Sequence, residues 1–139
     1  MNASVFFDTN VLVYAAVGTG NDQGKRKRAL ELIESEDFGT SAQVLQEFFV
    51  TVVKKASRPL SSAQALEWIE QWTVFPCRMI DHQLVRIAIE HSERYKISYW
   101  DAAVVAAAQA LGAHAIYTED LNNGQQYGGV RVINPFSAV

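Results

Sequence analysis

Four carboxylates in this chain stand where an acid is locally expensive: Asp8, Glu47, Asp101 and Asp120. Asp8 interrupts "VFFDTNVLVYAA", with strand-like apolar residues before it and a second apolar run after it. A carboxylate beside a buried segment needs a partner, solvent or a cation to offset its desolvation. Asp120 follows another strand-like run, "AIYT". Asp101 lies inside "SYWDAAVVAAAQAL", residues 98–111, which is apolar nearly all round and predicts a buried helix. At about 100° per residue, Val104, Val105 and Ala108 surround it on one face, so it faces protein or a pocket lined by protein. By the same geometry Glu47 sits about 60° beyond Val44, at the margin of the apolar stripe of a helix over 42–55. Several carboxylates brought together repel, which raises their pKa values or demands a cation. A hard divalent ion with oxygen ligands suits this donor set, and Mg²⁺ keeps several of its waters. Such a site can activate water and clamp a phosphodiester with one or two metals.

Each acid also has a plainer role open to it. Asp8 suits an N-cap for the helix that follows, as does Asn10. Asp101 stands three residues after Ser98, at capping-box spacing, and an acid in a first helical turn suits the helix dipole. Glu47 alone reads as a solvated helix residue. Asp120, in "TEDLNNG", reads as a loop acid, and Glu119 is the alternative acid there. None of the four is specific singly. No His/Cys cluster points to zinc. His82, His91 and His114 are scattered, without ligand spacing, and Cys77 reads as a small buried hydrophobe.

The elements that must position these acids alternate in kind. Residues 4–7 read as a strand and Val11–Val17 as a helix or helical turn. A glycine-rich loop leads to a helix over 25–35, then a short strand over Phe38–Thr40. The helix over 42–55 follows. Ser61 and Gln64 have capping-box spacing before a helix carrying Ala65, Leu66, Trp68 and Ile69. Val74–Pro76 reads as a short strand or connector, and 82–94 as a helix. After the buried helix, Gly112 is a plausible stop, and "AHAIYTEDL" and "VRVINP" are strands. Strands alternating with helices predict an α/β fold, with a mainly parallel sheet covered on both faces. Ligands in such folds bind beyond the carboxyl ends of strands, where Asp8 and Asp120 both fall.

Composition bounds the class. The chain has 139 residues, which predicts a single domain over 1–139 with a sizeable core. Hydrophobic residues make up 49% and charged ones 19%, a globular balance. No apolar run approaches the ~18 residues of a membrane span, and no signal-peptide pattern opens the chain. The one cysteine, Cys77, precludes an internal disulfide. The cytoplasm is the expected compartment. A net charge of −3 and a pI of about 5.6 exclude a protein that coats nucleic acid by bulk electrostatics. Local basic clusters at Lys25–Arg28 and at Lys54, Lys55 and Arg58 remain as candidate phosphate contacts, with solvated helix faces as the alternative. Tyr99 and Trp100 precede Asp101 and could stack on a base, but core packing is the expectation, above all for Trp100.

These pieces together resemble the PIN-domain ribonucleases, most closely the VapC-type toxins of bacterial and archaeal toxin–antitoxin pairs. The resemblance covers essentially the whole chain. "FFDTNVLVYA" looks like the family's first motif and "SAQVLQEFFVTVVKK" its second, with Glu47 as the acid. "ISYWDAAVVAAAQALGA" looks like the third and "AIYTEDLNNGQQYGGVRVINPF" the fourth, with Asp120 at a Thr-x-Asp position. The resemblance implies a three-layer α/β/α fold and Mg²⁺- or Mn²⁺-dependent cleavage of RNA. Asp8 and Asp101 would be direct metal ligands. Glu47 and Asp120 would complete the pocket, in an outer role or on a second ion. Asn10 or Thr9 would orient Asp8, and Thr118 would bond within the pocket. Ser98 would cap the helix that carries Asp101. Attack in line by metal-activated water would leave a 3′-hydroxyl and a 5′-phosphate. Many relatives carry a further acid after the fourth motif. Here Asn122 and Asn123 stand in its place, so the number of metals stays open.

The resemblance further implies a homodimer and a cognate antitoxin lying across the cleft, with the apolar helices 42–55 and 61–72 as candidate surfaces. Two other readings use the same residues. A PIN fold that has lost catalysis would only bind a partner. A response-regulator-like module also carries strand-end acids and Mg²⁺, but it needs a late lysine where this chain has "VRVINPF". A DNA nuclease of similar chemistry is not separated by the acids alone, because phosphodiester hydrolysis does not itself read the 2′-hydroxyl.

Overall fold

Val5, Phe6 and Phe7 are all buried, although successive strand side chains point to opposite faces. A strand buried on both faces belongs inside a parallel sheet with helices on either side. The computed structural model, which describes residues 1–138, has it there. Among the described residues there are six strands and six α-helices. In chain order they are β1 Val5–Phe7, α1 Thr9–Val17, α2 Gln23–Ser35, β2 Phe38–Ser41, α3 Ala42–Val50, α4 Ser62–Trp72, β3 Cys77–Arg78, α5 His82–Tyr95, α6 Tyr99–Ala110, β4 Ala115–Tyr117, β5 Gln126–Tyr127 and β6 Val130–Ile133. A π turn over Thr51–Lys55 prolongs α3.

The sheet order is β3-β2-β1-β4-β6-β5, with every neighbouring pair parallel except β5–β6. The chain winds outward from β1 through β2 to β3, then crosses back to β4 on the other side of β1. Right-handed crossovers that reverse direction put their helices on opposite faces. Accordingly α1 packs on α2 and α3, while α5 packs on α6. The result is a three-layer α/β/α sandwich. Its strand order departs from the 2-1-3-4-5 of response-regulator-like folds, which sets that reading aside.

Stacked aromatics hold the centre. The rings of Phe7 and Phe38, on neighbouring strands, lie 4.3 Å apart, and Phe75 meets Phe38 at 4.3 Å. Residues Ala102 to Ala108 of α6 are all buried, as an apolar surround requires. Gly112 ends this region with φ of +72°, a left-handed position that glycine takes without a Cβ penalty. The capping box of Ser61 and Gln64 forms as its spacing predicts.

Several expected boundaries move. The first helix begins at Thr9 because Asp8 caps it, and the second begins at Gln23. Val74–Pro76 is connector, and the strand is the adjoining Cys77–Arg78. Because that strand is an edge, Cys77 is half-buried rather than enclosed. Strand β5 has two residues and gives no periodic signal. Among the described residues no helix is long and apolar enough to cross a membrane.

Candidate active site

The winding reverses between β1 and β4, so the crevice beyond their carboxyl ends is the topological switch point. Asp8 follows β1 there, and Thr118 and Asp120 follow β4. The Asp8 N–H donates to Tyr117 O at 3.1 Å, tying the two strand ends together. Ser41 ends β2 and caps α3, its Oγ accepting from Val44 N at 3.2 Å, and the second turn of that helix carries Glu47. Ser98 caps α6, its Oγ accepting from Asp101 N at 3.1 Å. Two strand ends and two capped helix starts therefore supply the four acids.

A polar network fixes three of them. Asp8 is only 6% exposed. Its Oδ1 accepts from Thr9 N at 2.8 Å and its Oδ2 from Thr118 Oγ1 at 2.8 Å. Thr118 Oγ1 in turn accepts from Asp120 N at 3.0 Å and Asn10 Nδ2 at 3.1 Å. Asn10 Nδ2 also donates to Asp120 Oδ2 at 3.2 Å. Glu47 is held at both oxygens: Oε2 accepts from Thr9 Oγ1 at 2.9 Å, and Oε1 from Gln43 Nε2 at 3.1 Å. Capping and site geometry coincide at Asp8, where the cap carboxylate is also the most buried acid.

Burial sets the electrostatics. It pushes Asp8 from its ordinary 3.8 up to about 6, against the hydrogen bonds from Thr9 and Thr118 and with help from the charges of Asp120 and Glu47. Asp120 is also raised, first by desolvation, with Glu119, Asp101 and Glu47 adding to it and Asn10 opposing. Asp8 thus feels Asp120 and Glu47, and Asp120 feels Asp101 and Glu47, although among the described residues no three His, Cys, Asp or Glu side chains are arranged to hold an ion by themselves. Asn10 Oδ1 is buried and accepts no hydrogen bond among the described residues. Hard oxygen donors, mutual repulsion and an unpartnered buried oxygen suit a divalent cation that retains waters on its other positions.

A cleft of about 660 Å³, in the size range of small-ligand sites, opens over Glu47 and Asp120, while Asp8 and Asp101 are not among the residues that line it. Thr9, Asn10, Glu47 and Asp120 line it, with Gln43, Tyr14, Lys55 and Trp100 around them.

The supporting residues divide their work differently from expectation. Only the main chain of Thr9 serves Asp8. Its hydroxyl holds Glu47, and Asn10 holds Thr118 and Asp120 instead of Asp8. Glu119, the alternative acid, turns away to accept from Tyr14 OH and to pair with Lys25 Nζ at 3.1 Å. That pair engages one member of the first basic cluster. Arg28 is engaged too, with Glu31 and with Pro135 O. Trp100 is 64% exposed, against the expectation of core packing, and lines the cleft. Tyr99 is half-buried. His91 bonds Gln109, while His82 and His114 are exposed. Gln43 is the residue sequence reasoning missed. It is 9% exposed and bridges Glu47 to Trp100 O at 3.2 Å. Its place one turn before Glu47 was the only signal.

Comparison with known proteins bears on the fold and the family. Among curated proteins none matches the chain in sequence. Solved structures do match in fold. VapC20 of Mycobacterium tuberculosis, a sarcin-ricin loop cleaving toxin, aligns with a TM-score of 0.66 at 21% identity, over 84% of this chain and 90% of that one. A toxin–antitoxin complex from Klebsiella pneumoniae aligns with a TM-score of 0.71 at 20% identity, over 96% and 98%. VapBC2 of Rickettsia felis, bound to a promoter DNA fragment, gives 0.60 at 16%, over 92% and 96%. The model of the PIN domain matches residues 5–125, from the first residue of β1 to beyond the last of the four acids, and the chain therefore belongs to the PIN domain family.

Proposed function

We propose that this chain is a divalent-metal-dependent endoribonuclease, working as one domain in the cytoplasm and serving as the toxin of a type II toxin–antitoxin pair. The observation that carries this reading is the meeting of Asp8, Asp120 and Glu47 at the switch point, with Asp101 near enough to raise Asp120. Membership of the PIN domain family supports it. Asp8 and Asp101 would hold Mg²⁺ or Mn²⁺, and Glu47 and Asp120 would complete the pocket. When bound, the cation would activate water and neutralise charge on the scissile phosphate. Thr118 and Thr9 fix the Asp8 oxygens, while Thr9 and Gln43 fix those of Glu47. The acids are thus oriented before substrate arrives, which avoids reorganisation during reaction.

The solved relatives include toxin–antitoxin complexes, which supports a cognate antitoxin for this chain. Val50 on α3 and Leu66 on α4 are exposed apolar residues suited to covering by that antitoxin or by a second copy in a homodimer. The test is cleavage of a mixed tRNA and rRNA pool with Mg²⁺, with Mn²⁺ and with EDTA, beside Asp101→Asn. Metal-dependent cuts at discrete sites, absent in the variant, are expected. Cuts that survive EDTA or the substitution would overturn the reading, and a pool left whole by antitoxin-free protein would favour the binding-only alternative.

A further inference from the structure

The lip of the cleft combines two features that the acids do not explain. Trp100 presents a largely exposed indole in the first turn of α6, one residue before Asp101, although the seven residues from Ala102 onward are all buried. Gln43 Nε2 donates to the main-chain oxygen of Trp100 at 3.2 Å, and the Tyr99 ring meets the indole at 5.1 Å with planes 83° apart. The same Gln43 amide grips Glu47, so the backbone that carries the indole is placed relative to the acids. Lys55 lines the same cleft as Trp100. It is the last residue of the π turn, a distortion that recurs at functional sites. Its neighbour Lys54 is exposed but does not line the cleft, and among the described residues Lys55 has no carboxylate partner. Gln46 and Thr51 add polar groups to the wall.

An exposed aromatic face and an unpaired ammonium at the rim of an acidic floor are complementary to a base and its phosphate. We propose that Trp100 and Lys55 form a nucleotide subsite beside the acids, where an unpaired base stacks on the indole and an adjoining phosphate meets the ammonium. The subsite rests on the ribonuclease reading and narrows it to single-stranded substrate, because a base within a duplex cannot offer its face to a side chain. Trp100 is then a substrate-binding residue and Gln43 its positioning residue.

The test is binding without cleavage. A labelled short single-stranded oligoribonucleotide is titrated in EDTA with the full chain and with Trp100→Ala, Trp100→Phe and Lys55→Gln, by fluorescence anisotropy. The same titrations use an abasic oligonucleotide and a duplex. Trp100→Ala is expected to weaken the single strand roughly five- to a hundredfold, with Trp100→Phe recovering most of the loss. The abasic strand and the duplex should bind wild type and Trp100→Ala alike. Lys55→Gln should reduce the slope of log affinity against log salt by about 0.7. Equal affinities of wild type and Trp100→Ala for the single strand, or an equal loss on the abasic strand, would overturn the subsite. So would a Trp100→Ala chain that binds RNA normally but changes oligomeric state, which would assign the indole to a protein contact. Wild type that cleaves RNA while its affinity ignores Trp100 overturns the subsite alone. Wild type that neither binds nor cleaves RNA overturns the nuclease reading and the subsite with it.

Discussion

At Asp8, stability and the proposed chemistry pull in opposite directions. Its carboxyl titrates near 6 in the fold against an ordinary 3.8. A raised carboxyl favours the protonated fold, so its contribution is most favourable below about pH 4 and is lost as pH rises to about 6. Above that, the buried charge costs about 3 kcal/mol in metal-free protein. Asp8→Asn in EDTA should therefore gain up to about 3 kcal/mol at pH 7, and the gain should vanish near pH 4. Urea unfolding across that range measures it, and the same variant should lose metal-dependent cleavage. Gln43 is the second residue with a separable role. Gln43→Ala leaves one Glu47 oxygen and the Trp100 carbonyl without their donor. A loss of roughly 10–100-fold in kcat/KM is expected from removing such a supporting bond, with the fold intact by circular dichroism.

Among the elements, β2 leaves no room for a side chain at Gly39. A Cβ on Gly39 would lie 2.7 Å from Leu111 Cδ1, 3.0 Å from Ala3 Cβ and 3.0 Å from Pro76 O. The leucine end can turn, but the carbonyl cannot move without displacing the chain that leads into β3. Gly39→Ala should cost about 1–3 kcal/mol by overpacking, read from the urea midpoint. The elements also show what the sequence could and could not tell. The buried helix was legible because apolar residues all round leave it no solvent face. That same logic misplaced Trp100, since an apolar surround predicts burial along a whole helix, while here burial runs from Ala102 to Ala108 and the first turn stays open at Trp100. Strands β3 and β5 have two residues each, too few for any alternation. Because Val52 and Val53 keep an apolar rhythm, the sequence does not separate the π turn from continuing helix. The four acids were legible as expensive residues. The resemblance names Thr9, Asn10 and Thr118 as supporters, but which acid each holds, and the part of Gln43, is not legible, because long-range partners such as Asp120, 110 positions from Asn10, decide it.

At the scale of the whole molecule, metal binding and folding should be linked. Anything that binds only the folded chain stabilises it, by about 2.7 kcal/mol at a hundred times its Kd. Mg²⁺ or Mn²⁺ should raise the Tm of the wild type by several degrees and EDTA should reverse this. Asp101→Asn should respond much less, which differential scanning fluorimetry can read without any RNA. The charge balance sets a second boundary. With a net charge of −3, RNA must be drawn by local cations rather than by the field of the protein as a whole.

The central place of β1 bears on how the chain is made. This strand is synthesised before the other five, yet one of its two neighbours is β4, whose Ala115 pairs with Val5. The hydroxyl that grips Asp8 comes from Thr118, 110 residues later. A growing polypeptide can complete the crossovers from β1 to β3 while that edge of β1 still lacks its neighbour. Until β4 has left the ribosome, Asp8 has no Thr118 or Asp120 beside it and the crevice has one wall missing. The nuclease chemistry proposed here should therefore need β4 to have emerged, and chains arrested before Ala115 should not cleave RNA.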